Sequence, residues 1–91
     1  MTQVFREAVS IDQLNTLSRG TAIDTLGITF TAAGDDWLQA TMPVDERTRQ
    51  PYGILHGGAS VVLAETLGSS AGNLCVDTGK QVCVGLEINA N

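Results

Sequence analysis

The segment GGASVVLAETLGSSAGNLCV, positions 57–76, contains no proline and keeps its apolar residues at helical spacing. It predicts a single helix of about five turns. A chain of 91 residues that commits so much of its length to one rod must cover that rod with the rest. Four shorter segments, one helix and three strands, have the pattern to do so.

SIDQLNTLSRGT reads as a short helix, with Ser10 as cap, Ile11, Leu14 and Leu17 at helical spacing and Gly20 as terminator. Thr25 to Phe30 alternates through Leu26, Ile28 and Phe30. AAGDD then turns the chain into WLQATMPV, which predicts two antiparallel strands joined by a tight turn. DERTRQPYG is charged and turn-rich and reads as a surface loop, and DTGK as a second turn. In QVCVGLEINAN, Val82, Val84, Leu86, Ile88 and Ala90 alternate with Gln81, Cys83, Gly85, Glu87 and Asn89, the pattern of a half-buried strand. The fold class is therefore α+β, a single domain over 1–91. The alternation runs almost to Asn91, so a further chain or further strands are expected to cover this last element.

On the long helix, an advance of about 100° per residue from Glu65 puts Leu63, Ala64, Leu67, Ala71 and Leu74 on the opposite, core-facing arc. Val61, Gly68, Ser69 and Gly72 flank Glu65, so a carboxylate stands on a stripe of small residues. A glycine inside a helix costs on the order of 1 kcal/mol relative to alanine, so Gly68 and Gly72 imply close approach by a ligand or a second backbone. From composition alone, a solvated surface glutamate fits the same pattern. Ser69 lies one turn beyond Glu65 and can reach it or a bound ligand.

The sole histidine, His56, falls where QPYGIL becomes the helix, a place where backbone N–H groups lack partners. Two roles fit it: a structural cap, or a supporting group in a site whose oxyanion is met by the Gly57 N–H and the positive end of the helix. His56 and Glu65 are nine residues apart, about 13 Å of helical rise and half a turn of azimuth. Acting together, they require two chains, and a two-fold dimer would contain two such sites. A carboxylate facing a helix N-terminus suits acyl transfer or hydrolysis of an activated ester, by direct attack or by activating water, with Gln50 placed to orient water or carbonyl. A Ser60–His56 dyad is disfavoured, because Ser60 is expected on the core side. There is no G-x-S-x-G elbow and no phosphate-loop or dinucleotide fingerprint.

Composition narrows the rest. Ten acidic residues against 5 basic ones, with no basic stripe among aromatics, argue against nucleic acid as a partner. The first ten residues have no signal-peptide core, and no segment approaches the length of a membrane span, so a cytoplasmic location away from membranes is expected. Cys75 and Cys83 lack metal-ligand spacing and are expected to be buried, reduced thiols, with no metal site.

QPYGILHGGASVVLAETLGSSAG, with MPVDERTRQ before it and VGLEINAN after it, resembles the hotdog-fold acyl-CoA thioesterases. Within them it is most similar to the members that act on 1,4-dihydroxy-2-naphthoyl-CoA in menaquinone biosynthesis and those that proofread enterobactin synthesis. The resemblance implies a long central helix wrapped by an antiparallel sheet, and dimers, often paired into tetramers, with active sites at the dimer interface. It implies Glu65 as nucleophile or general base, the Gly57 N–H on the thioester carbonyl, His56 and Gln50 as positioning groups, and Ser69 as a hydroxyl beside the carboxylate. Arg47 and Arg49 would meet coenzyme A phosphates at the rim or stay solvated, and Gly68 would line the substrate pocket. Coenzyme A enters as part of the substrate, and no separate cofactor is implied. The rival implied substrates are an aromatic or related acyl-CoA and an acyl or aryl group on a carrier protein. A hotdog module or truncated remnant that binds acyl-CoA or partner chains without catalysis is the alternative from another class. Family members continue beyond the position matching Asn91, so C-terminal strands of the fold are expected to be missing here.

Overall fold

The computed structural model describes residues 4–91, so Met1–Gln3 of the segment read as lacking a signal core lie outside the described residues. The first helix, α1 (Ile11–Ser18), starts where its cap predicts: Ser10 Oγ accepts the Gln13 N–H at 3.2 Å. Gly20 follows with φ of 76°, the left-handed conformation that ends helices cheaply.

The expected strand from Thr25 is displaced. Residues Ala22–Thr25 form a one-turn helix, α2, because Thr21 Oγ1 accepts the Ile23 N–H and Gly27, at φ 74°, closes the turn. Strand β1 is Thr29–Ala33 and pairs antiparallel with β2, Leu38–Thr41. The pairing runs Phe30↔Ala40 and then Ala32↔Gln39, so Thr31 is the extra residue of a bulge. The predicted turn is shorter than AAGDD, since Ala32 and Ala33 belong to β1. Gly34 donates its N–H to the Trp37 carbonyl there, and the Trp37 indole lies where a Gly34 side chain would stand.

The long helix, α3, spans Gly57–Leu74 with Cys75 as its C-cap. Helix α1 packs on β1, and α3 packs on β2. One asparagine joins the first pair. Asn15 Nδ2 donates to the Phe30 carbonyl and its Oδ1 accepts the Phe30 N–H, both at 2.9 Å, as a neighbouring strand would. Phe5, Ile28, Phe30 and Ala59 form the buried apolar core. At the far end of α3 the Arg6 N–H donates to the Leu74 carbonyl, satisfying one of its orphan acceptors.

The buried face of α3 is rotated from the expected one. Ala59 and Thr66 are buried, Leu63, Leu67, Ala71 and Leu74 are half-buried, and Ala64 is exposed. Helical spacing fixes which residues share a face but not which face the rest of the chain covers, and here β2 packs on α3. Ser60, expected on the core side, is exposed.

The 81–91 segment is not the expected strand: it has no regular secondary structure, and among the described residues no strand pairs with it. Its faces are also reversed from the expectation. Val82, Val84 and Leu86 are exposed, Leu86 by 99%, while Cys83 and Gly85 turn towards α3. Space decides this: the surface of α3 there is Gly72 and the Glu65 side chain, which admits a thiol and a bare backbone but no branched residue. Both cysteines are free, with Cys83 half-buried against Gly72 and Cys75 exposed, not buried as expected. Among the described residues, no helix is long and apolar enough to cross a membrane.

Candidate active site

Glu65 sits in the middle of α3, half-buried, with its Oε1 accepting a hydrogen bond from Ser69 Oγ at 2.5 Å. The two residues are four apart, the spacing that stacks side chains on one helical face. Gly85 lies directly over the carboxylate, so closely that any side chain there would occupy the same space. Between the helix and the 81–91 segment is a cleft of about 230 Å³, lined by Glu65, Gly68, Ser69, Cys83, Gly85 and Ile88 among others. The two helical glycines therefore have different neighbours. Gly72 makes room for Cys83 of the same chain, whereas no atom stands within 4 Å of where a Gly68 side chain would be.

His56 is the N-cap of α3, and its Nδ1 accepts the Gly58 N–H at 2.9 Å. The capping role read from the sequence is thus present, and no hydrogen bond joins His56 to Ser60 among the described residues. Gly57 follows as the first helical residue, exposed, with open space where a side chain would be. Its N–H is one of the leading donors an α-helix cannot satisfy internally, at the positive end of the helix dipole.

The loop before the helix is more ordered than its composition suggests. Thr48 is 2% exposed; its Oγ1 donates to the Pro43 carbonyl at 2.7 Å and accepts the Asp45 N–H at 3.2 Å. Its own carbonyl accepts the His56 N–H at 2.7 Å, so this threonine ties the loop to the helix start. Arg49 bridges to Leu55 in antiparallel fashion, and Gly53, at φ 87°, turns the chain between them. Gln50 is half-buried inside this turn, with its Oε1 accepting the Tyr52 N–H. Its amide oxygen is thereby engaged by the backbone.

Arg47 is paired with Asp45, Nη2 to Oδ2 at 2.6 Å, with Nε close to both carboxylate oxygens. Hydrogen bonding to Arg47 holds the Asp45 carboxyl at about 2, below its usual 3.8. Arg49 is exposed.

The structure thus brings Glu65, Gly68 and Ser69 into one cleft and collects His56, Gly57 and Gln50 around the start of α3. Nine residues of one helix separate these groups, about 13 Å of rise. Two contributors had no signal in the helical periodicity: Gly85, which covers the carboxylate, and Asn73, which holds the segment bearing it. The short residues Cys83 and Gly85 inside an otherwise bulky alternation are the trace that marks them.

The sequence pattern of the thioesterase superfamily matches residues 52–91, the stretch holding both α3 and the segment over Glu65. The chain superposes on a mutant thioesterase of Pseudomonas aeruginosa with a TM-score of 0.93, at 56% identity over 97% of this chain and 63% of that one. It superposes on a thioesterase of Haemophilus influenzae with a TM-score of 0.90, at 52% identity over 97% of this chain and 61% of that one. The chain shares the hotdog fold of these thioesterases, a long helix against an antiparallel sheet, and its residues 52–91 are similar to the thioesterase superfamily. In sequence it is similar to the 1,4-dihydroxy-2-naphthoyl-CoA hydrolase of Escherichia coli, 54% identical over 97% of this chain and 64% of that protein. It is also similar to the proofreading thioesterase EntH of Cronobacter sakazakii, 53% identical over the same shares. The chain spans 64% of the length of each of these two relatives.

Proposed function

We propose that this chain carries the reacting carboxylate and the oxyanion-binding helix start of a thioester hydrolase acting on an aromatic acyl-CoA. The observation that carries the reading is Glu65, the one carboxylate on α3, held by Ser69 in a cleft whose helical wall is opened by Gly68.

Glu65 accepts a proton from water as the water oxygen attacks the thioester carbonyl, or attacks that carbonyl itself. Negative charge collects on the carbonyl oxygen and is met by the Gly57 N–H at the helix start. On the water route the C–S bond then breaks, the thiolate takes the proton held by Glu65, and the carboxylic acid leaves; on direct attack C–S cleavage releases the thiolate and leaves an anhydride on Glu65, which water hydrolyses to restore the carboxylate, free the acid and protonate the thiolate. The rise between Gly57 and Glu65 on one helix supports a site shared by two copies in a homodimer, which pairs of dimers in a tetramer would preserve. His56 holds the first turn in place, and Gln50 orients the loop that faces the entering acyl group. Gly68 leaves room for the acyl ring, and Arg49 is the exposed cation for a coenzyme A phosphate. Arg47 would reach a phosphate only by releasing Asp45. The site needs no metal or separate cofactor in this scheme.

The similarity to a 1,4-dihydroxy-2-naphthoyl-CoA hydrolase favours that thioester or one like it, and the similarity to EntH favours testing a carrier-bound aryl group beside it. Thiol release by the purified protein, measured with 1,4-dihydroxy-2-naphthoyl-CoA, benzoyl-CoA and an aryl-loaded carrier protein, separates the two by kcat/KM. Loss of all thiol release in Glu65→Ala supports the assignment; turnover by that variant at the parent rate refutes it. A protein that binds these thioesters without releasing thiol is a binding module.

A further inference from the structure

The Glu65 carboxylate has a roof, and one side chain sets where that roof lies. Asn73 stands two turns beyond Glu65 on α3, on the stripe that also carries Ser69. Its Nδ2 donates to the Cys83 carbonyl at 3.0 Å and to the Ser69 carbonyl at 3.1 Å, while its Oδ1 accepts the Cys83 N–H at 2.7 Å. Both amide hydrogens and the oxygen are thereby used. These are the only hydrogen bonds among the described residues that join the 81–91 segment to α3.

The clamp determines register. With Cys83 held, its thiol falls on Gly72 and Gly85 falls on Glu65. A slip of one residue would bring Val82 or Val84, and then Leu86, to a surface that has no space for a side chain. Gly85 in turn confines the carboxylate from above, while Ser69 holds Oε1 from the side. A glutamate has three rotatable bonds, and without the roof the single hydrogen bond to Ser69 would leave it several rotamers.

We infer that Gly85 is a positioning residue for Glu65, and that Asn73 acts as its anchor by fixing the register of residues 83–85 on α3. The inference rests on Glu65 being the reacting carboxylate proposed above. A displacement of about 1 Å at a reacting group costs up to about 100-fold in rate, so the effect belongs in kcat and not in the affinity for the acyl-CoA.

Asn15 provides the matched control, because it makes the same two-bond clamp on Phe30 and lines no part of the Glu65 cleft. In the purified full-length chain with benzoyl-CoA, Gly85→Ala and Asn73→Asp are expected to lower kcat about 10- to 100-fold with KM held within about threefold. The 13C shift of the Glu65 carboxyl at neutral pH is expected to move in both variants. Asn15→Asp is expected to lose comparable stability to urea while leaving kcat and the carboxyl shift as in the parent. If Asn73→Asp does not fold, Gly85→Ala carries the test, since it leaves the clamp intact. Parent-like kcat and an unmoved Glu65 resonance in Gly85→Ala overturn the inference. Turnover retained by Glu65→Ala would instead overturn the active-site reading, and the carboxyl shift in Gly85→Ala would then decide the positioning role alone.

Discussion

Ser69 Oγ donates to Glu65 Oε1 at 2.5 Å, one helical turn apart on α3. A hydroxyl that donates to one carboxylate oxygen holds that oxygen in place and leaves the other to face the cleft.

Removing that donor gives a graded loss. A hydrogen bond to a charged group contributes about 1.5–3 kcal/mol, so Ser69→Ala is expected to lower kcat by about tenfold or somewhat more. Glu65→Ala removes the reacting group and is expected to cost about 10⁴-fold. Steady-state thiol release on both variants, with circular dichroism to show that the helix persists, checks the ranking. Equal losses in the two would contradict it.

Thr48 is expected to matter for stability more than its size suggests. Thr48→Val keeps the shape but leaves the Pro43 carbonyl and the Asp45 N–H without their partner. An unsatisfied buried group costs about 1–3 kcal/mol, and an unfolding free energy lowered by that amount, read as a lower urea midpoint at constant slope, is the expected result.

His56 is a helix cap in addition to any part in the site. His56→Ala frees the Gly58 N–H and is expected to lower stability by about 1 kcal/mol, while His56→Asn, a good capping residue, restores most of it. Comparing kcat in the same two variants separates the roles: activity lost in both, with stability recovered in one, assigns His56 a function beyond capping.

The Asp45–Arg47 pair predicts a pH dependence with a definite sign. Arg47 holds the Asp45 carboxyl at about 2 against its usual 3.8. A depressed carboxyl contributes stability that is fully present above the unfolded value and is lost as pH falls through the folded one. The loss belongs between about pH 4 and pH 2, and it shrinks with added salt because the pair is at the surface. In Arg47→Gln, an NMR titration should show the Asp45 carboxyl returning towards its usual value. A titration unmoved by the substitution would assign the shift to another cause.

Local chemistry was legible wherever one residue type acts on its immediate neighbours. Ser10 and Gly20 marked the ends of α1, and the unbroken helical spacing after His56 marked α3. The pairing of Glu65 with Ser69 follows from a spacing of four on any helix. The one-turn helix α2 was also written in Thr21 and Gly27, but the alternation of Leu26, Ile28 and Phe30 imitates a strand and obscures it. Helical spacing likewise could not orient α3, whose buried residues are Ala59 and Thr66 while Ala64 of the expected core arc is exposed.

Amino-acid order thus determined the helices, the hairpin and the carboxylate on its stripe of small residues, since each depends on contacts within a few positions. Which face of 81–91 turns inward was settled only in three dimensions. Alternation says that two faces differ, but the space above Gly72 and Glu65 and the hydrogen bonds of Asn73 admit only the small one. Steric fit between segments distant in sequence, which no local pattern encodes, puts Gly85 rather than Val84 over the carboxylate.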